Sequence, residues 1–334
     1  MTRHESRTSI VGRVITRYLA LKTALGRRYV QERRVLQSLD EFLCADGGPT
    51  ADLTPERFSR WAQTRQHLMP TVRRNWLRIV RNLCLYRRRT EPDCFVPDPA
   101  SFPAPHQARA PHIFTTDEIA RLIEATRTLA VTAHCPLRPQ VFRLALVLLY
   151  TTGLRRGELL RLTVGDYDPR ERVLLIRASK FHKSRSVPLA HDAVREVEHY
   201  LQTCRRRHLP MAPDTPLVAH GTTTLRPYTG VGFGRGVRQL LRETGILTAE
   251  GRSPRIHDIR HAFAVQALLR WYRKGIDVQT KLPFLATYMG HISIVSTHYY
   301  LAFVEPLRAA ASARFARHCG ALVGPRATAT GRRR

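Results

Sequence analysis

The sequence predicts a mostly α-helical protein with a small antiparallel β-sheet, divided into a helical N-terminal domain and a larger α+β domain. Three observations carry this. Apolar residues recur at helical spacing through most of the chain; Pro92, Pro97, Pro99, Pro103, Pro105 and Pro111 crowd into one aperiodic stretch; and two short β-like runs flank a lysine-rich turn at 179–185. The expected organisation is a helical domain over 1–90, a proline-rich linker over 91–112, the larger domain over 113–320 and a disordered basic tail over 321–334.

In the first domain Val11, Val14, Ile15, Tyr18 and Leu25 mark one helix, and Tyr29, Leu36, Leu39, Phe42 and Leu43 a second that Gly47-Gly48-Pro49 ends. A third helix is predicted at Thr54-Pro55, where threonine caps and proline takes the first helical position. The fourth begins near Pro70. Val72, Trp76, Ile79, Val80 and Leu83 form its core stripe, and Arg74, Arg78, Arg81 and Arg88 share another face. Four arginines on one face suit a row of phosphates, although a solvated helix face has the same pattern.

In the second domain Thr115-Thr116-Asp117-Glu118 is a capping box opening a helix. Val141 to Tyr150 is almost wholly apolar, as expected of a helix buried on all sides. Gly153 then breaks it, and a new helix begins at once, placing Arg155 at a helix N-terminus where an anion is already favoured, with Glu158 on the same side to orient it. Taken alone, that pair fits a local ion pair equally well. Arg172–Arg177 and Ser186–Leu189 are predicted strands around a turn carrying Lys180 and Lys183, and Leu217-Val218-Ala219 is a candidate third strand. Helices are expected over about 193–206, 231–244 and 257–274, the last putting His257, Arg260 and His261 on one face.

Composition narrows the function. Lys+Arg total 55 against 26 Asp+Glu, a formal charge of +29, which in a chain with 43% hydrophobic residues points to a folded protein with a polyanionic partner, nucleic acid above all. The six cysteines are scattered without a Cys-x-x-Cys pair, the N-terminus has no apolar signal core, and no apolar run reaches membrane-spanning length, so a soluble, cytoplasmic protein is expected. No His-Glu-x-x-His pattern or acidic pair accompanies the histidines, which disfavours a metal-dependent nuclease; no metal or cofactor is expected.

Thr-Gly-Leu-Arg-x-x-Glu-Leu at 152–159, the hairpin lysine, His-x-x-Arg-His at 257–261, Gly-His at 290–291 and a late tyrosine resemble, in order and spacing, the tyrosine recombinase (phage integrase) family, with the strongest local likeness to integrases of transposons and other mobile elements. The resemblance covers about 113–320 and implies a recombinase catalytic domain behind a helical, SAM-like core-binding domain. By position it makes Arg155 and Arg260 the phosphate clamp, Lys180 the hairpin lysine with Lys183 the alternative, His257 and His291 the two histidines, and Tyr300 the nucleophile. Tyr299 adjoins it, and the family's nine-residue step from His291 selects Tyr300.

It further implies metal- and ATP-independent cleavage of double-stranded DNA at specific sites through a 3′-phosphotyrosine, for integration or excision of a mobile element. Four protomers, or a mixed tetramer with related recombinases, would act together, with Leu307, Ala310, Ala311 and Phe315 available to dock on a neighbour. Two other readings share these residues: a non-catalytic DNA-binding accessory factor and a type IB topoisomerase.

Overall fold

The computed structural model describes residues 8–27, 29–104, 110–177, 184–290 and 312, grouped in two compact units, Met1–Arg109 and Ala110–Arg334. Lys180, Lys183, His291, Tyr299, Tyr300, the candidate docking residues Leu307, Ala310, Ala311 and Phe315, and the basic tail lie outside the described residues.

The first unit packs four helices, α1 (Ile10–Ala24), α2 (Val30–Gly47), α3 (Pro55–Gln63) and α4 (Pro70–Arg87). Thr54 caps α3 by accepting from the Arg57 N–H, with Pro55 first in the helix. Val35, Leu36, Leu39 and Leu43 of α2 meet Trp61, Val80 and Leu83 in a sealed core, and Trp61 stacks on Trp76 with centroids 6.3 Å apart. Val72 departs from the expected stripe and is exposed, because it sits in the first turn of α4, before the helix reaches that core. Within the proline-rich stretch Phe102 is buried, and Phe95 and Val96 pack against the same core. The buried Arg87 guanidinium, next to the predicted Arg88, is neutralised by Asp52 (2.9 Å from Nη2) and Glu91 (2.7 Å from Nε).

The second unit is built on α6 (Arg138–Thr152), whose Leu144, Ala145 and Leu148 are wholly buried. It follows α5 (Thr116–Glu124), which opens on the Thr115/Glu118 capping box, and precedes the four-residue α7 (Arg156–Leu159). β1 (Tyr167–Asp168), β2 (Val173–Ile176) and β3 (Arg185–Pro188) form an antiparallel sheet in that order, with Ile176 opposite Arg185 at the mouth of the β2–β3 hairpin. Alternation buries Leu174, Ile176 and Val187.

The expected third strand is replaced. Leu217 donates to the Leu162 carbonyl (2.8 Å) and lies outside the three-stranded sheet. After α8 (His191–Arg206), Ala219–His220 is β4 and pairs with β5 (Arg226–Pro227) in a separate ladder. α9 (Gly230–Glu243) and α10 (Ile256–Arg273) follow, with α10 packed on α6 through one half and on α11 (Val278–Met289) through the other. Among the described residues no helix is long and apolar enough to cross a membrane.

Candidate active site

The site grows from the end of α6. Gly153 adopts φ 62 and closes the helix by donating to the Leu149 carbonyl (3.1 Å). A Cβ there would lie 2.5 Å from the Phe263 ring of α10, so glycine is required by conformation and by space. We expect Gly153→Ala to lower unfolding free energy by roughly 2–3 kcal/mol, strain and overpacking combined, as read by denaturant titration; a loss under about 0.5 kcal/mol would refute this packing argument.

The break turns Arg155 out at the N-cap of α7, and Glu158 reaches back. Its carboxylate accepts from the Arg155 N–H (3.0 Å) and from Arg155 Nη1 (2.8 Å), and Arg155 Nη2 donates to the Gly290 carbonyl (2.7 Å). From α10, the buried Arg260 donates through Nη1 to the Gly153 carbonyl (2.5 Å) and through Nη2 to that of Met289 (2.7 Å). Two arginines 105 positions apart in sequence thus bind adjacent carbonyls at the C-terminal end of α11, where unpaired carbonyls and the helix dipole favour cations.

A third cation completes the row. Arg185, at the start of β3, donates through Nε to the Tyr288 carbonyl (2.8 Å) and through Nη2 to Glu158 (3.0 Å). No motif in the sequence marks it. Its only local signal is a position at the end of a lysine-rich turn, and its partners lie 27 and 103 residues away.

Electrostatics follow from this packing. Burial of Glu158 works to raise its pKa, but hydrogen bonds and charge from Arg185 and Arg155 overcome it and hold the carboxyl at about 2. His257, exposed to solvent, has a lowered pKa, first through desolvation and then through the Arg260 charge, which favours the neutral imidazole. His261, edge-to-face with His257 at 4.8 Å, is lowered to about 4, first by burial and then by His257.

A histidine whose folded pKa is depressed lets the unfolded chain take up protons first. Its contribution is therefore complete above pH ~6.5 and lost as pH falls from there toward ~4. We expect wild-type stability to drop across that window by on the order of 2–3 kcal/mol from His261, and His261→Gln to flatten the slope. Parallel urea titrations at pH 7.5 and 4.5 check this; equal losses in both proteins would contradict it.

Of the predicted residues, Arg155, Glu158, His257 and Arg260 converge here. The chain leaves this point at Gly290, immediately before His291, and the described part of the hairpin ends at Arg177 and Ser184 on either side of Lys180 and Lys183. Beside His257, a cleft of about 530 Å³ is lined by Arg156, Arg238 and Arg255, a basic approach to the site. In the first unit, Arg74 donates to the Pro103 carbonyl (2.5 Å), Arg81 to that of Pro97 and Arg78 to Asn75 (2.8 Å), while Arg88 is exposed. Among the described residues no group of three or more His, Cys, Asp or Glu side chains is arranged to hold a metal ion.

Residues 112–305 match the model of the phage integrase family. An integrase/recombinase of Sinorhizobium fredii, y4rB, is 31% identical over 290 residues, covering 86% of this chain and 91% of the relative. Tyrosine recombinase XerC of Lactobacillus leichmannii is 29% identical over 192 residues, 58% of each chain. Among solved structures, the Tn1549 transposon integrase in complex with a circular intermediate DNA superposes with a TM-score of 0.60 at 17% identity, over 93% of this chain and 99% of that one. Site-specific recombinase XerH bound to its difH substrate gives 0.59 at 16% identity, over 86% and 79%. The mostly helical fold with small antiparallel sheets is theirs. The chain belongs to the phage integrase family, the tyrosine-type site-specific DNA recombinases.

Proposed function

We propose that the protein cuts and rejoins double-stranded DNA at specific sites through a covalent 3′-phosphotyrosine on Tyr300, without metal or ATP, to integrate or excise a mobile element. The observation that carries this is the convergence of Arg155 and Arg260 on the carbonyls of Gly290 and Met289, beside His257. These are the charges a phosphoryl transfer needs, at the point where the chain enters the His291–Tyr300 segment.

The Tyr300 phenol oxygen attacks the scissile phosphorus and His257 accepts its proton, a transfer suited to an imidazole kept neutral. Arg155 and Arg260, held in place by backbone carbonyls, stabilise charge on the pentacoordinate phosphorane, with His291 as a further donor. Lys180, or Lys183, protonates the departing 5′ oxygen. The phosphotyrosyl bond conserves the energy of the bond broken, so a 5′ hydroxyl from another strand reseals the backbone and frees the tyrosine. Exchange between two sites then calls for four protomers, alone or mixed with related recombinases. The basic cleft of Arg156, Arg238 and Arg255, together with Arg78 and Arg88 in the first unit, supports DNA as partner. Such work belongs in the cytoplasm, on the nucleoid.

The test is covalent trapping of the full chain on cellular DNA in EDTA, followed by sequencing of the attached strands. A discrete set of sites linked through a 3′ phosphate is expected. Salt-dependent binding with no adduct would mark a DNA-binding accessory factor, and relaxation of plasmids lacking any such site would mark a topoisomerase.

A further inference from the structure

Three guanidiniums from three elements hold three successive carbonyls at the end of α11: Arg185 holds Tyr288, Arg260 holds Met289 and Arg155 holds Gly290. Two of these arginines already have roles at the phosphate. We propose that the third, Arg185, is a positioning residue for strand cleavage, fixing Arg155 through their shared Glu158 and fixing the turn that leads into the tyrosine segment.

Charge supplies the first argument. Arg155 and Glu158 alone make a neutral pair, which would offer little to a phosphate. Arg185 contributes a second cation to the same carboxylate, through Nη1 at 3.3 Å and Nη2 at 3.0 Å, so the triad carries a net positive charge with Arg155 its more exposed member. Burial argues against an incidental surface pair: the side chains of Arg185 and Glu158 are only 11% and 2% exposed.

Shape supplies the second. Gly290 has φ 67, and a Cβ there would lie 2.8 Å from Arg185 Nη1, so the guanidinium lies flat against the glycine. The Tyr288 hydroxyl donates to the Pro188 carbonyl (3.0 Å), tying the far end of the same strand to the same helix turn. The base of the β2–β3 hairpin is thereby joined to the end of α11. In sequence, Lys180 lies between β2 and β3 and Tyr300 ten residues after Gly290, and Arg185 couples the two supports from which those segments lead.

The inference rests on the assignment of Arg155 to the phosphate and Tyr300 to the nucleophile, and its test separates the two. Full-length wild type, Arg185→Gln and Arg185→Lys are compared on a nicked suicide duplex carrying the sequence that wild type traps. Expected for Arg185→Gln is single-turnover adduct formation slowed ~10–100-fold, the cost of slight misplacement, with the DNA dissociation constant within ~2-fold. Lysine keeps the charge but cannot span Glu158 and the Tyr288 carbonyl as a fork, so it recovers part of the rate. Should the glutamine variant fail to fold, an intermediate rate for the lysine variant carries the test.

Glu158→Gln combined with Arg185→Gln is expected to cost much less than the product of the single effects, since both act on Arg155. Wild-type rates in both Arg185 variants, or cleavage and binding falling in parallel, would overturn the proposal. If wild type itself forms no adduct, the functional reading fails instead. Hydrogen exchange of residues 284–290 without DNA then decides for Arg185: faster exchange in the glutamine variant supports the coupling, and unchanged exchange sinks it.

Discussion

Tyr300→Phe is expected to suppress the covalent protein–DNA adduct by at least about 10³-fold, because it removes the oxygen proposed to bond to phosphorus. The phenol is neutral before reaction and contributes no charge to DNA binding, so affinity for the same duplex should stay within ~2-fold. A duplex nicked just past the scissile phosphate loses its short 5′ fragment after cleavage, and the adduct accumulates as a band retarded in denaturing gels. Tyr299→Phe serves as the comparison and should form the adduct at a rate close to wild type. An adduct that survives in Tyr300→Phe and vanishes in Tyr299→Phe would move the nucleophile by one residue. Loss of adduct in EDTA would mean a metal carries charge here assigned to guanidiniums.

The second large effect is at Arg260. This side chain is 2% exposed and bridges two backbone carbonyls from different segments, those of Gly153 and Met289. Arg260→Ala strips both acceptors of a charged partner and leaves a cavity, for an expected loss of about 2–4 kcal/mol in stability. On the proposed mechanism it also removes a phosphate donor, for a further ~10²–10³-fold in the cleavage step. Arg260→Lys separates the two consequences. It keeps a cation but not the planar fork, so stability should recover more than rate does. Adduct rates measured well below each variant's unfolding midpoint check this; cleavage by Arg260→Lys at the wild-type rate would remove Arg260 from the clamp.

Much of the site was legible because its parts are local. The apolar run of α6, the glycine that ends it, the acid three residues after Arg155 and the i, i+3, i+4 spacing of His257, Arg260 and His261 are each fixed by helix periodicity or capping chemistry within one or two turns. The remainder depends on distant partners. Whether Arg155 with Glu158 was a surface pair or part of a site could not be decided without Arg185 and Gly290, 27 residues from Glu158 and 135 from Arg155 respectively. In α4 the helical wheel places Arg74 and Arg81 on a common face with Arg78, but only the fold brings the Pro103 and Pro97 carbonyls to their guanidiniums. Two-residue strands such as Tyr167–Asp168 carry no period to detect, which is why the third strand was sought at the apolar 217–219.

The row of carbonyls at the end of α11 has one more consequence. Each acceptor is a backbone oxygen, so a substitution at Tyr288 or Met289 leaves it in place; Gly290 is held to glycine by its conformation and by Arg185. What the three arginines do register is chain length. Inserting or deleting a single residue between Ala286 and Gly290 would present each guanidinium with the wrong oxygen, and everything after it would shift by one place. The end of α11 is therefore a gauge, counting residues between α11 and the segment proposed to carry the nucleophile.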